Sequence, residues 1–339
     1  MSINNINSIL LTAVLLSVLL YYGKFILLPL TLALFIFVII KSLSKKLIDS
    51  THSLFKIKIN DLVSFFSIFF IFIIIIYSFL KILNSNLRNV IDNSSYYQNN
   101  LKNLINLFSD YKIERFIELN QVFNDINFLE IFSRVINYFT ELTGNFSLIL
   151  IYIIFFMIEE KLVAEKIKFF FHKLTTKNVL KKINNDIFKY FQIKTFTSFL
   201  TGIFTFLVLY FFNSDLAPTF GVFAFFLNFI PFIGSLISVI IPTIFSLIQF
   251  FSFFESVLIL IMLTFSQILI GNFIETKMMG KTLNLSPVVM IIFLSIMGKV
   301  WGVAGMFLSV PILVFLLIIF SNLNSTKNLA ILISEKIRF

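Results

Sequence analysis

Long uninterrupted apolar runs are the feature that most restricts the possible folds of this chain. Two of them, Leu62–Leu80 and Phe196–Phe212, reach the roughly 17 to 25 residues that a helix needs to cross the hydrocarbon layer. Only 13% of the 339 residues are charged, too few to cover a water-soluble surface. The alternation that marks a barrel strand is absent. The sequence therefore predicts an all-α, polytopic integral membrane protein.

The composition argues against several other classes. The formal charge is +10, but the basic residues are not interleaved with exposed aromatics on a polar domain, so no nucleic-acid partner is expected. The chain has no cysteine, and we interpret His52 and His172 as solvated loop residues, so neither a metal nor a cofactor is expected. Gly280, Lys281 and Thr282 resemble the end of a phosphate-binding loop that lacks its earlier glycine. An enzyme or an ATP-driven pump is therefore not expected.

The distribution of lysines predicts the topology. We interpret Ile6–Ile40 as two short spans joined by a tight turn at Tyr22–Lys24. The next connection, Lys41–Asn60, holds five lysines and is predicted to be cytoplasmic. A removable signal peptide is not expected, and both termini are predicted to lie inside a bacterial cytoplasmic (inner) membrane.

This reasoning divides the chain into six parts. Leu101, Leu104, Ile105 and Phe108 repeat at helical spacing in the external part, as do Phe132, Val135, Ile136 and Phe139. The basic part carries an apolar stripe, predicted to lie along the inner leaflet. The parts are three N-terminal spans (1–83), an external helical domain (84–145), a fourth span (146–160), a basic cytoplasmic amphipathic segment (161–195), a C-terminal transport region (196–320) and a cytoplasmic tail (321–339).

Helix-breaking residues are concentrated in one apolar region. Five of the six prolines and seven of the ten glycines lie within Pro218–Pro311. Interrupted helices at bilayer depth persist only where protein or a water-filled cavity satisfies the freed backbone groups, so this cluster favours transport over kinks for packing alone. The expected helix-break or hinge residues are Pro218, Pro242, Pro287, Gly298, Gly302, Gly305 and Pro311.

Two stretches of this region, Pro218–Pro242 and Pro287–Pro311, have the same length. If each is a hairpin and Ser256–Ile274 crosses between them, they form an inverted pair, as in alternating-access transporters. If each is one long kinked span, the chain has eight full spans, and Lys277 and Lys281 lie outside. We favour the hairpins, and so predict about eight membrane segments, with discontinuous helices or re-entrant hairpins in the C-terminal half.

Polar side chains are rare in this region, and each is expensive in lipid. Gln267, Asn272 and Glu275 form a mostly polar edge at the end of one predicted helix. Such an edge suits a neutral polyhydroxylated solute, a proton or a cation, although hydrogen bonds between helices would use the same amides. The predicted substrate- or ion-binding residues are Asn228, Pro231, Gly234, Ser235, Gln267, Asn272, Glu275, Gly280 and Lys281.

At these residues the chain resembles the AI-2E transporter family, the autoinducer-2 exporters of bacteria. Phe229–Gly234 is similar to the family's Phe-Ile-Pro-Tyr-Ile-Gly segment, and Glu275–Lys281 to its Glu-Pro-Arg-Leu-Met-Gly stretch. Leu285, Ser286 and Pro287 match the Leu-Ser-Pro that follows. The closing Trp-Gly-x-x-Gly-Met and Val-Pro pattern is matched by Trp301, Gly302, Gly305, Met306 and Pro311. Lys41, Ser235 and Thr276 stand where the family usually has proline.

The resemblance implies a multispan permease, often described with eight spans. Export of autoinducer-2, a quorum-sensing signal, is reported for some members and cation/proton antiport for others. Three hypotheses follow: gradient-driven export of a small polar metabolite or signal, a sodium or proton antiporter with Glu275 as the coupled carboxylate, and a non-transporting membrane scaffold. The expected partners are the lipid bilayer, a small polar solute with protons or sodium, and further copies of the chain in a homo-oligomer.

Overall fold

A computed structural model describes residues 15, 17–57, 59–110, 130, 146–160, 162, 165, 176–279, 284–322 and 326–336. Within these residues all regular structure is helical and no strand occurs. The chain divides into two compact units. The first comprises 1–69, 144–192 and 279–339, and the second comprises 70–143 and 193–278.

Eleven α-helices are named here in chain order. They are α1 (Lys24–Phe55), α2 (Asp61–Asp92), α3 (Ser94–Asp110), α4 (146–160), α5 (Thr176–Phe211), α6 (Ala217–Leu227), α7 (Ile233–Phe250), α8 (Phe253–Gln267), α9 (Thr276–Met279), α10 (Pro287–Asn322) and α11 (Lys327–Ile333). A π-helix, Ile268–Glu275, joins α8 to α9. Six helices in the described part of the chain are long and apolar enough to cross a membrane. The prediction of an all-α, multi-pass membrane protein is confirmed.

The tight turn expected at Tyr22–Lys24 is absent, and that prediction is wrong. The Gly23 N–H donates to the Leu19 carbonyl, and the Leu27 N–H donates to the Gly23 carbonyl. Gly23 itself has φ −81° and ψ 5°, so helical hydrogen bonds continue on both sides of one distorted residue. The chain therefore bends at Gly23 without reversing.

Two helices run further than their apolar segments. Helix α1 continues through much of the lysine-rich connection and ends where Lys56 adopts a left-handed conformation. Helix α5 joins the predicted amphipathic segment to the apolar run Phe196–Phe212 in one helix of 36 residues. Polar residues do not stop a helix when each still makes its backbone hydrogen bonds, so a change in polarity alone did not mark these boundaries.

The first unit contains a helical hairpin within α10. Gly302 has φ 65° and ψ −146°, outside the helical region. It divides α10 into two arms, one before and one after it, and these arms contact each other. A Cβ at Gly305 would lie 2.1 Å from the Met297 carbonyl oxygen, and one at Gly298 would lie 2.6 Å from the Met306 side chain. In a straight helix these partners would be more than one turn apart. The second Pro- and Gly-rich stretch therefore folds back on itself at Gly302.

Side chains distant in sequence hold this unit together. The indole N–H of Trp301 donates to the Leu20 carbonyl at 2.9 Å. The Asn284 side chain makes two hydrogen bonds to the backbone of Lys336, at 2.6 and 2.9 Å, which fixes the chain beyond α11 beside the start of α10. Lys46 donates to Gln192 at 3.2 Å. The contacts of Trp301 and Asn284 position the hairpin of α10 within its own unit, whereas that of Lys46 joins α1 to α5.

The second unit has a core built from α2, α3, α5, α6, α7 and α8. Leu101 and Leu104 of α3 are buried in it, and Ile105 packs against it. The spacing of these residues predicted the helix itself. The other predicted repeat, Phe132–Phe139, lies outside the described residues. The core residues are Val90, Tyr97, Leu101, Leu104, Val208, Leu209, Leu216, Ala217, Phe220, Val239, Phe245, Ile248, Ile259 and Leu263.

Candidate functional site

The first Pro- and Gly-rich stretch is a helical hairpin in the second unit. Its arms are α6 and α7, which pack against each other. A Cβ at Gly234 would lie 1.7 Å from the Leu227 carbonyl oxygen, so only glycine allows the arms to approach this closely. The 11 residues of α6 are too few to cross a bilayer. The prediction that this stretch folds as a helical hairpin is therefore confirmed.

The tip of this hairpin is a strained turn. The Ile233 N–H donates to the Pro231 carbonyl at 2.6 Å, closing a three-residue turn. Phe232 at its centre has φ 60° and ψ −60°, the rarer form of γ-turn, which strains a residue that carries a Cβ. Ser235 donates its hydroxyl proton to the Phe232 carbonyl at 2.9 Å. Pro231, Gly234 and Ser235 thus all shape the tip.

An ion pair lies at the junction of α5 and the π-helix. The Lys194 ammonium is 2.6 Å from one oxygen of Glu275, and the Thr197 hydroxyl donates to the other at 3.0 Å. The Lys194 side chain is 7% exposed and that of Glu275 is 18% exposed. A lone buried charge is costly in a membrane protein. Each of these two charges is compensated by the other.

A second polar contact adjoins the first along α5. The Asn228 side-chain amide donates to the Ser198 hydroxyl at 3.0 Å, and both residues are buried. Ser198 is next to Thr197 in the chain, so the hairpin tip and the carboxylate of Glu275 meet neighbouring residues of one helix. Two of the predicted site residues, Asn228 and Glu275, therefore bind consecutive residues of α5.

The remaining predicted binding residues make no hydrogen bond to this part of α5 in the described structure. Gln267 donates to the Ser238 hydroxyl at 2.8 Å, so it joins α8 to α7. Asn272 is exposed, because the π-helix changes the angular spacing on which the predicted polar edge depended. That edge is therefore incomplete. Gly280 and Lys281 lie outside the described residues.

The predicted break residues occupy four different kinds of position. Gly302 is a break, and Gly298 and Gly305 are the close contacts beside it. Pro218 and Pro287 stand in the first turns of α6 and α10, where the missing N–H has no helical partner in any case. Pro242 and Pro311 lie inside helices that continue past them. Neither proline breaks its helix, since the loss of one backbone bond did not end it; a hinge at these two positions stays a prediction.

Sequence reasoning missed the contribution of α5. The sequence pattern predicts that Lys194 belongs to the basic cytoplasmic segment, and it indicates no role for the hydroxyl residues that follow. The available signal was a polar stripe at helical spacing within an apolar helix. The stripe consists of Lys194, Thr197, Ser198, Thr201 and Thr205, all of them buried.

This arrangement can hold a small polar ligand by hydrogen bonds and can exchange a charged partner at Glu275. Hydroxyl and amide groups lie next to a carboxylate at a point where two helices depart from α geometry, namely the hairpin tip and the π-helix. Irregular backbone of this kind is frequent at functional sites. Among the described residues, no group of three or more His, Asp or Glu side chains could hold a metal ion.

Comparison with known proteins assigns the chain to a family. The model of the AI-2E family transporter matches residues 9–325. The chain belongs to the AI-2E transporter family. It is 36% identical over 245 residues to a "Putative transport protein" of Borreliella burgdorferi, covering 70% of this chain and 66% of that protein. It is 31% identical over 156 residues to "AI-2 transport protein TqsA" of Escherichia coli K12, covering 46% and 45%.

A third relative, from Haemophilus influenzae, is also called "Putative transport protein" and is 30% identical over 209 residues, or 60% of each chain. The matched part of this chain thus spans between about half and two thirds of the length of these relatives. The residues of the polar cluster, 194–275, all lie within the part that the family model matches. The site is therefore part of an AI-2E family member.

Proposed function

We propose that this member of the AI-2E family is a gradient-driven permease that exports a small polar solute from a bacterial cytoplasm. Autoinducer-2 is the first solute to test, because the name of one relative includes its transport. The observation that carries the proposal is the buried polar cluster at two interrupted helices. Hydroxyl and amide groups in such a position are expensive unless they serve a ligand or another helix.

The cluster has the chemistry that a hydroxyl-rich solute requires. Ser198 and Asn228 hydrogen-bond each other, and both groups can instead bond a solute that offers donors and acceptors of its own. Thr197 places a further hydroxyl beside Glu275. A solute that replaces these contacts recovers their hydrogen bonds, whereas an apolar solute leaves them unsatisfied.

Solute flux from proteoliposomes tests this proposal. Purified protein should release loaded autoinducer-2 faster than protein-free liposomes do. Asn228→Leu and Ser198→Ala should each slow the release several-fold by removing a hydrogen-bonding partner. Ser64→Ala is the matched control, because this buried hydroxyl donates to the Ser44 carbonyl and both residues belong to the first unit. Equal release from protein and protein-free liposomes, with no ion flux either, would count against any permease and leave the scaffold hypothesis.

One observation favours a second function, cation/proton antiport. Glu275 is already balanced by Lys194, so a proton or a sodium ion that takes the place of the lysine charge would leave the net charge of the cluster unchanged. This is the kind of competition that couples two fluxes. Glu275→Gln should then abolish exchange of sodium for protons while the protein still inserts, because glutamine cannot ionise. Full exchange in that variant would rule out Glu275 as the coupling group.

A further inference from the structure

The open end of the α6–α7 hairpin is held by the Gln249 side chain. Its carbonyl oxygen accepts from the Ser214 hydroxyl at 3.2 Å and from the Asp215 N–H at 3.1 Å. Its amide donates to the Asn213 carbonyl at 3.1 Å. One buried side chain at the end of α7 therefore fixes the turn from which α6 begins.

Helix α3 binds the same open end from outside the hairpin. The hydroxyl of Tyr96 and the amide of Asn100 donate to the Gln249 and Ile248 carbonyls, both at 3.0 Å, which caps the last turn of α7. The Tyr97 hydroxyl donates to the carboxylate of Asp215 at 2.5 Å. Burial, and then Asp215, raise the pKa of Tyr97, so this phenol remains a donor.

The tip of the hairpin has fewer described side-chain hydrogen bonds than the open end, although Asn228, Phe229 and Ile230 are buried there. The Asn228 amide donates to the Ser198 hydroxyl of α5. Phe232 keeps a strained backbone although its side chain is 55% exposed, so its ring contributes little packing that would hold the turn. Strain of this kind persists at switch regions and is released when the backbone relaxes.

We propose that the hairpin tip, residues 228–234, is the moving part of the permease, and that the strained turn at Phe232 sets how readily it opens, while α3 stays docked on the open end. This inference rests on the proposed function, because opening of the tip would separate Asn228 from Ser198 and expose the polar cluster to solute. The rate at which the tip opens then depends on the backbone of Phe232 more than on its ring.

A pair of substitutions at Phe232 separates the effect of the backbone strain from the effect of the aromatic ring. Phe232→Ala removes the ring and keeps the strain, whereas Phe232→Gly removes both, since glycine adopts positive φ at no steric cost. The chain has no cysteine, so Ile230→Cys, buried at the tip, can be labelled with N-ethylmaleimide in proteoliposomes without background. Labelling requires the tip to open.

Relief of the strain stabilises the closed turn, so we expect labelling of Ile230→Cys to be about tenfold slower with Phe232→Gly than with Phe232→Ala. Phe232→Asn should fall between them, because Asn tolerates positive φ better than Ala does. Phe251 provides the matched control. It also has positive φ, 52°, but lies at the open end, so Gly and Ala at this position should give the same labelling rate.

Equal labelling rates for the three Phe232 variants would overturn the inference, as would a Gly–Ala difference of the same size at Phe251. The labelling rate is measured without a substrate, so failure of the proposed function can be distinguished from failure of this inference. A tenfold labelling difference without any solute or ion flux would keep the mobile tip and reject the permease. Flux that is normal in all the Phe232 variants, together with equal labelling, would keep the permease and reject the mobile tip.

Discussion

At the scale of single residues, the buried pair of Lys194 and Glu275 leads to a prediction about stability. Lys194→Met should lower the free energy of unfolding by about 3 kcal/mol, because it leaves the Glu275 carboxylate without its counter-charge. The double variant Lys194→Met/Glu275→Gln removes both charges and should recover most of this loss. Thermal unfolding of the purified protein in detergent measures both effects.

The exposed pair of Lys41 and Glu160 is the natural control for this experiment. Its charged atoms are 2.7 Å apart, but its side chains are 34% and 40% exposed. Solvent already screens such a pair, so Lys41→Met should change the stability by less than about 1 kcal/mol. Equal losses for Lys194→Met and Lys41→Met would show that burial does not make the first pair special.

At the scale of elements, the α6–α7 hairpin depends on the close approach of its arms at Gly234. Gly234→Ala would place a Cβ 1.7 Å from the Leu227 carbonyl oxygen, and backbone cannot move aside as a side chain can. We expect a loss of about 3 kcal/mol or more and a separation of the arms. Differential scanning fluorimetry of the variant measures the first effect.

Gly271 offers a matched glycine in the same unit. It lies in the π-helix, and a Cβ there would meet no atom within 4 Å. Gly271→Ala should therefore leave the melting temperature close to that of the parent protein. A similar loss of stability for both variants would mean that the intrinsic backbone preferences of alanine and glycine determine the result. The contact between the arms would then not be the cause.

At the scale of the whole molecule, the continuous helical run from Phe253 to Met279 predicts topology. Its 27 residues extend about 40 Å, enough to cross a bilayer. Glu255 and Lys277 therefore lie at opposite ends, and we predict that Glu255 faces outside and Lys277 inside. In intact cells, an impermeant thiol reagent should label Glu255→Cys, whereas Lys277→Cys should react only after the membrane is opened. Labelling of Lys277→Cys in intact cells would reverse this topology.

Much of the fold could be predicted because the membrane imposes it locally. Runs such as Leu62–Leu80 have no alternative to a helix at bilayer depth, so the all-α class followed from hydropathy alone. The motif Phe229–Gly234 could also be predicted from local sequence. Proline restricts the backbone of its own residue and glycine frees it, so both mark an interrupted helix. Asn228 and Glu275 were recognised as site residues because isolated polar groups in lipid require a partner.

The partners of those residues, in contrast, depended on the tertiary structure. A sequence shows that Glu275 needs a counter-charge, but Lys194 is 81 residues away and only the packing of α5 against the π-helix brings the two together. The π-helix also moved Asn272 away from the predicted polar edge. Its hydrogen bonds join residues five apart, and the order of side chains in the sequence does not reveal them. The sequence by itself thus determined which elements enter the membrane and which polar groups must be satisfied there, since both follow from the cost of burying each group. Which group satisfies which was decided by tertiary packing, since contacts between distant helices depend on how their shapes fit.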